Sequence, residues 1–340
     1  MNHQSNSLFL LDKMKLRTKL SLPPAAKSIG HLDAIVMIGS CFSVNISKRL
    51  ASLKYSVSAN PFGIVFNPIS ISQQLIDLIS HRRFKPVDLF EQNGVWHSFS
   101  HHSSFDSLHA EDMLAHINTS IEEGHQQLCK AKFLFITFGT SYYFELQKSG
   151  TVVANCHKTP SSEFTKKRAE LNELIGHFSA SLLALKDFNP DIQVVFSVSP
   201  VRHIKDGIVE NSQSKAILNN LCHSLIEKFN FCSYFPAYEI MVDDLRDYRF
   251  YESDLIHPNE MAIEYIWDKF GHVYFNEPTR QLNAKILNVL LAAAHRPFHL
   301  KSENHQKFIK KQLEVIKELE TLSGLNFEEE KSQFESQIAS

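Results

Sequence analysis

Apolar positions along the chain fall into two alternating patterns. Short unbroken runs, "AIVMI" (34–38), "FLFITF" (133–138), "IQVVFSV" (192–198) and "FCSYF" (231–235), are strand-length and rich in β-branched and aromatic residues. A run without polar alternation suits a strand covered on both faces, as in a parallel sheet. A fifth, weaker strand is "KYSVSA" (54–59). Between the runs the spacing turns helical. "SVNISKRLASL" follows the first run, and "ISQQLIDLISHRRF" (71–84) sets Ile71, Leu75, Leu78 and Ile79 on one face. "KRAELNELIGHFSASLLALKDF" (167–188) and "SKAILNNLCHSLIEKF" (214–229) continue the series. Such alternation predicts a three-layer α/β/α sandwich around a mainly parallel sheet.

Two stretches break the pattern. "VWHSFSHHSSF" (95–105) fits neither period and reads as a loop or small insertion over one end of the sheet. From Pro278 onward the pattern is almost wholly helical, which predicts a C-terminal pair of helices followed by a charged, frayed tail, "NFEEEKSQFESQIAS". The expected organisation is therefore an α/β domain over residues 1–277, with an N-terminal arm over 1–30, and a helical extension over 278–340.

The chain has 340 residues, 43% hydrophobic and 21% charged, enough for a large core in one big domain or two smaller ones. A net charge of -2 asks for neither nucleic acid nor an anionic membrane, and nothing in the pattern sets an oligomeric state. No apolar run approaches the ~18 residues of a membrane span. The apolar patch at Leu8 to Leu11 lacks both a full hydrophobic region and a small-residue cleavage site, so it is not read as a signal peptide. Cys41, Cys129, Cys156, Cys222 and Cys232 form no close pairs, which argues for reduced thiols in a cytoplasm. Among the 18 histidines, His97, His101, His102 and His109 cluster, but their spacing matches no common zinc pattern. They read as solvated loop residues with no metal and no cofactor, His102 being the one candidate for a pocket.

In an open parallel sheet, ligands bind beyond the carboxyl ends of the strands. Gly39-Ser40-Cys41 follows the first run, "GTSYYFE" (139–145) the second and "SPVRH" (199–203) the third. The segment after the fourth leads to Asp254-Leu255-Ile256-His257-Pro258. A neutral imidazole is a good general base, and a carboxylate three residues earlier can orient it. Pro258 at a first helical position would start the helix "PNEMAIEYIWDKF", whose dipole favours a neutral ring. Cys41, at the start of the first helix, would have its thiol acidified by the same effect. Arg202 and His203 would grip an anionic substrate group or bond within their own loop, and His157 and Lys158 are further candidates for the pocket lining.

The motifs "IGSCFS", "NPFGIVFNPISI" (60–71), "FGTSYYF", "VANCHKTP" (153–160), "SPVRHIKDGIVENSQSKAIL" (199–218) and "DYRFYESDLIHP" (247–258) resemble the GSCFA family, itself similar to the SGNH, or GDSL-type, hydrolases. The resemblance covers about residues 17 to 300. It implies attack on an ester or thioester carbonyl of a small acyl substrate, with His257 as base and Asp254 as its orienting partner. "IGSC" stands where the superfamily has "IGDS", so direct register makes Cys41 the nucleophile and a one-residue slip makes it Ser40. Gly63 in "NPFG" would be an oxyanion donor beside the amides of the Gly39 elbow. The superfamily's Gly-x-Asn is replaced by Gly139-Thr140-Ser141, and Asn155 is the candidate substitute. These departures also leave open a binding protein that kept the fold and lost catalysis.

Overall fold

The computed structural model describes residues 17–295, 297 and 299–338, so the patch at Leu8 to Leu11 lies outside the described residues. In chain order the strands are β1 (Ile35–Gly39), β2 (Val57–Ala59), β3 (Phe90–Gln92), β4 (Val95–His97), β5 (Phe133–Phe138), β6 (Tyr142–Leu146), β7 (Val152–Val153), β8 (Phe164–Arg168), β9 (Gln193–Val198) and β10 (Cys232–Tyr234). The longer helices are α1 (Cys41–Ser52), α2 (Pro68–Ile79), α3 (Ala110–Lys130), α4 (Leu171–Phe188), α5 (Ile208–Lys228), α6 (Glu260–Tyr274), α7 (Glu277–Ala294), α8 (Glu303–Ser323) and α9 (Glu328–Glu335).

Every apolar run forms a strand of one central sheet, in the order β10-β9-β5-β1-β2, and all its pairings are parallel. The chain builds outward from β1 to β2, then crosses back to place β5 on the other side of β1. The strand order therefore reverses between β1 and β5, the place where such sheets open a crevice at their carboxyl ends. Side chains alternate between two cores. Val36, Ile38, Leu134, Ile136, Val194 and Phe196 share one with residues of α2, α3, α4 and α5, among them Leu75, Ile117, Leu182 and Leu221. Ile35, Met37, Phe133, Phe135 and Val195 share the other with Phe42, Ile266, Phe270, Ile286 and Ile316. Both faces of each central strand are apolar, which is why these runs show no polar alternation.

Several elements differ from the sequence expectation. Residues 90–97 form the antiparallel hairpin β3–β4, turning at Asn93 and Gly94, both with positive φ, and its second strand opens the 95–105 stretch expected to be a loop or small insertion. The helix α3 and the antiparallel sheet β7-β6-β8 had no counterpart in the pattern. In α3 a narrow stripe of Met113, Ile117, Ile121 and Leu128 is buried among polar residues, and in β8 only Phe164 is buried. α2 begins earlier than expected, at Pro68, because the Asn67 side chain caps it by accepting from Ser70 N–H at 2.9 Å.

The C-terminal segment holds three helices rather than two, and its charged tail docks: Phe327 and Phe334 are buried in the same core as Ile35 and Met37. Burying two phenylalanines outweighs the fraying expected from the tail's charge. No helix among the described residues is long and apolar enough to cross a membrane.

Candidate active site

Gly39 ends β1 with φ +139°, and a Cβ there would sit 2.2 Å from the Thr137 carbonyl oxygen of β5. The two strands approach so closely that only glycine fits. Its N–H donates to Asn60 Oδ1 at 2.8 Å. Ser40 is the N-cap of α1: it is 3% exposed, its Oγ accepts the Phe42 N–H at 3.3 Å and its own N–H donates to Thr137 O at 3.2 Å. Cys41, the first residue of α1, is only partly buried. Burial pushes its thiol pKa up, the reverse of the acidification expected from a helix N-terminus. A thiol in this setting needs a base to take its proton.

His257 Nδ1 and Asp254 Oδ2 are 2.7 Å apart, and the other carboxylate oxygen accepts the backbone N–H groups of Ile256 and His257 at 2.8 and 3.0 Å. The bond from His257 and these two amides hold Asp254 down at about 2. With Nδ1–H directed at Asp254, the lone pair of a neutral His257 lies on Nε2. The tight turn puts Leu255 at φ 58°. Pro258 is not the first helical residue: it bridges to Tyr251, and α6 starts at Glu260 behind an Asn259 cap. The bridge holds the chain extended past His257, so the imidazole stands outside the helix end.

The turn is tied to the ends of the neighbouring elements. Arg202 donates to Leu255 O and Ile256 O, through its side chain at 2.9 Å and its N–H at 3.1 Å, and lies over Tyr248 and Tyr251. Its guanidinium thus braces the histidine turn. His203 leans on Phe66, with its Nε2 only 3.0 Å from where a Gly139 Cβ would be. Burial first, then the charges of Lys215 and His257, push His203 down to about 3. Arg49 of α1 pairs with Glu260 and Glu264 of α6, joining the helix that Cys41 starts to the one that follows His257.

Lys215, unremarked by its sequence setting beyond lying near a helix start, is 1% exposed and joins two strand ends. Its Nζ donates to Gly139 O at 2.7 Å and Ser199 O at 2.8 Å, and burial lowers its pKa to about 7.

The remaining candidates are each bonded to neighbouring groups. Gly63 has φ 75° and a Cβ there would meet the His102 Cβ at 2.3 Å, so the loop carrying His102 lies directly on it. The Gly63 N–H is already occupied, donating to Asn60 O at 2.7 Å. His102 caps its own turn, its Nδ1 accepting the Ser104 N–H at 3.1 Å. Ser141 is fully buried, bonded through N–H and Oγ to Ser214 Oγ at 2.7 and 3.1 Å. The Asn155 N–H bonds to Phe99 O, and its Oδ1 accepts the His157 N–H at 2.9 Å. The His157 ring is buried against Ser98, His101 and Asp106 rather than lining a pocket at the β1 elbow.

A cavity of about 1070 Å³ between α2, α4 and the Phe99–Ala154 contact is lined by none of these candidates. A smaller one of about 270 Å³ is bounded by Arg202, Tyr248 and Tyr251.

The GSCFA family model matches residues 34–270, from the start of β1 into α6. The chain belongs to the GSCFA family. A second model, the GSCFA domain protein C-terminal domain, matches residues 286–340 of this GSCFA chain. A comparison with curated proteins found no match. Among solved structures, an acetyl xylan esterase from the rumen bacterium Butyrivibrio proteoclasticus aligns at 12% identity with a TM-score of 0.34, over 74% of this chain and 64% of its own. So loose an overlap decides nothing about the chemistry of the GSCFA site.

Proposed function

We propose that this GSCFA protein is an acyl-ester or thioester hydrolase or acyltransferase with Cys41 as nucleophile, His257 as general base and Asp254 as the group that orients His257. The reading treats the sheet and its two helical sets as a three-layer α/β/α sandwich of SGNH type, with 278–340 as its helical extension. The observation that carries it is the Asp254–His257 bond at 2.7 Å, which leaves Nε2 as the proton acceptor in a turn bonded through Ile256 O to Arg202, shortly beyond the end of β9. Cys41 is favoured over Ser40 because the Ser40 side chain is buried as a helix cap.

In this mechanism His257 Nε2 takes the thiol proton as Sγ attacks the substrate carbonyl. The raised thiol pKa makes that transfer necessary rather than optional. The proton then passes to the leaving oxygen or sulfur, giving a thioester at Cys41. Water or an alcohol, deprotonated in turn by His257, releases the acyl group. The oxyanion falls to the Cys41 backbone N–H, because those of Gly39, Ser40 and Gly63 already have partners. Asn60 Nδ2, buried without a hydrogen-bond partner, is the amide that stands in for the missing Gly-x-Asn. Small acyl esters are the substrate class by analogy with the superfamily. The free cysteines support a reducing compartment.

The test is trapping. Incubation with 4-nitrophenyl acetate followed by peptide mass spectrometry should place an acetyl group on Cys41, and Cys41→Ala and His257→Ala should abolish turnover. Undiminished hydrolysis by either variant refutes the assignment. A folded wild type that binds acyl sugars without turning them over favours instead a catalytically inactive binding protein, a reading the occupied Gly63 amide supports.

A further inference from the structure

We propose that His97, Asp106 and His157 form a divalent metal site of zinc type. Their ligand atoms lie within 4.8 Å of one another, although 60 positions separate the first residue from the last. His97 Nδ1 is 3.0 Å from Asp106 Oδ2, and His157 Nδ1 is 3.2 Å from Asp106 Oδ1. Tetrahedral ligands about 2.0–2.1 Å from a zinc ion stand roughly 3.3 Å apart. Each histidine is near that spacing from one of the two Asp106 oxygens, and the three ligand atoms all lie within 4.8 Å of one another.

The protonation pattern points the same way. His157 Nε2 lies 2.8 Å from Ser98 O and 3.1 Å from His101 O, both acceptors. Nε2 must therefore carry the hydrogen, and the lone pair of the neutral ring is on Nδ1. That lone pair lies beside Asp106 Oδ1, 3.2 Å away, and the two repel unless a cation is shared between them. His97 Nδ1, Asp106 Oδ1 and His157 Nδ1 are all buried without a hydrogen-bond partner, so neither ring aims an N–H at the carboxylate despite the short distances. Such buried polar atoms are rare unless something satisfies them. The backbone carbonyls on His157 Nε2 are the outer-shell acceptors that commonly orient a metal-bound histidine.

The chain around the site is built for a clip. His97 ends β4 and Asp106 follows the turn Ser103–Phe105, so two ligands bracket the loop that presses His102 onto Gly63. His157 comes from the strap of residues 153–158, where His157 and Lys158 both adopt positive φ. A bound ion fastens this strap to the loop over the β1 end. Asp106, the more exposed of the three, leaves a fourth position for water.

The experiment uses the full chain, stripped with a chelator and dialysed. Titration with Zn²⁺ by calorimetry should show one ion per chain. Co²⁺ should give the intense visible absorption of a tetrahedral N/O site, which Zn²⁺ then displaces. Asp106→Asn and His157→Ala should each lose that absorption, while His109→Ala, altering an exposed histidine outside the cluster, should keep it. A folded wild type with neither heat nor cobalt absorption overturns the site, as does absorption that survives in both ligand variants.

Discussion

Lys215 offers a quantitative test of how the strand ends are held. It is a buried ammonium whose hydrogen bonds go to two carbonyl oxygens, Gly139 O and Ser199 O, at 2.7 and 2.8 Å. Burial lowers its pKa from 10.5 to about 7. In the unfolded chain the side chain holds its proton up to about pH 10.4. Between those limits the unfolded state binds one more proton than the folded state, so stability rises with pH through the window and is lost as pH falls through about 7. The slope approaches about 1.36 kcal/mol per pH unit, so Lys215 adds roughly 2–3 kcal/mol between about pH 7 and 9.

Lys215→Met removes the titration while keeping most of the volume. The assay is urea unfolding of wild type and variant across that pH range, with far-UV circular dichroism and tryptophan fluorescence required to coincide. The difference in unfolding free energy, wild type minus variant, should climb with pH. Its absolute value at any one pH mixes two lost hydrogen bonds with relieved desolvation, so only the slope is diagnostic. His203, the adjacent histidine, titrates near 3 and does not enter the window. A difference that stays flat or falls between about pH 7 and 9 refutes the reasoning.

Three further outcomes follow from the geometry. Gly39→Ala sets a Cβ 2.2 Å from the Thr137 carbonyl at φ +139°, and the urea midpoint should drop by the equivalent of about 3 kcal/mol or more; an unchanged midpoint contradicts the close approach. Asp254→Asn removes the carboxylate that orients His257 and should lower acyl transfer on the order of 10⁴-fold with an unchanged circular dichroism spectrum; a loss under about tenfold argues against the pair. Because burial raises the Cys41 thiol, its alkylation by iodoacetamide should keep accelerating past the free-thiol value of about 8.5, whereas a plateau below about pH 7 shows an acidified nucleophile.

The legible parts of the chain were those whose physics is local. The apolar runs became strands of the parallel sheet, most plainly β1, β5 and β9, because a strand covered on both faces cannot hide its composition. Asp254 and His257 were legible for a similar reason: three residues apart, they meet through one turn. The hairpin at Asn93-Gly94 was also written in the chain, as a two-residue turn with positive φ at both positions, but its strands are short and partly exposed and show no clear alternation. Helix α3 was obscured by the narrowness of its buried stripe, and the docked tail by the charges surrounding Phe327 and Phe334.

What the sequence by itself determined is the set of strands that forms the central sheet and the family to which the chain belongs. Only the tertiary structure decided which amide and hydroxyl groups remain available. Ser141 is chemically suited to a site, yet Ser214 of α5 occupies it, and the Ser40 N–H is taken by Thr137 O of β5. Tertiary structure also made Lys215 a buried link between two strand ends and brought His157 to Asp106 and His97. The physical reason is that hydrogen-bond capacity and desolvation belong to the neighbourhood of a group, and for these residues most of that neighbourhood comes from distant parts of the chain.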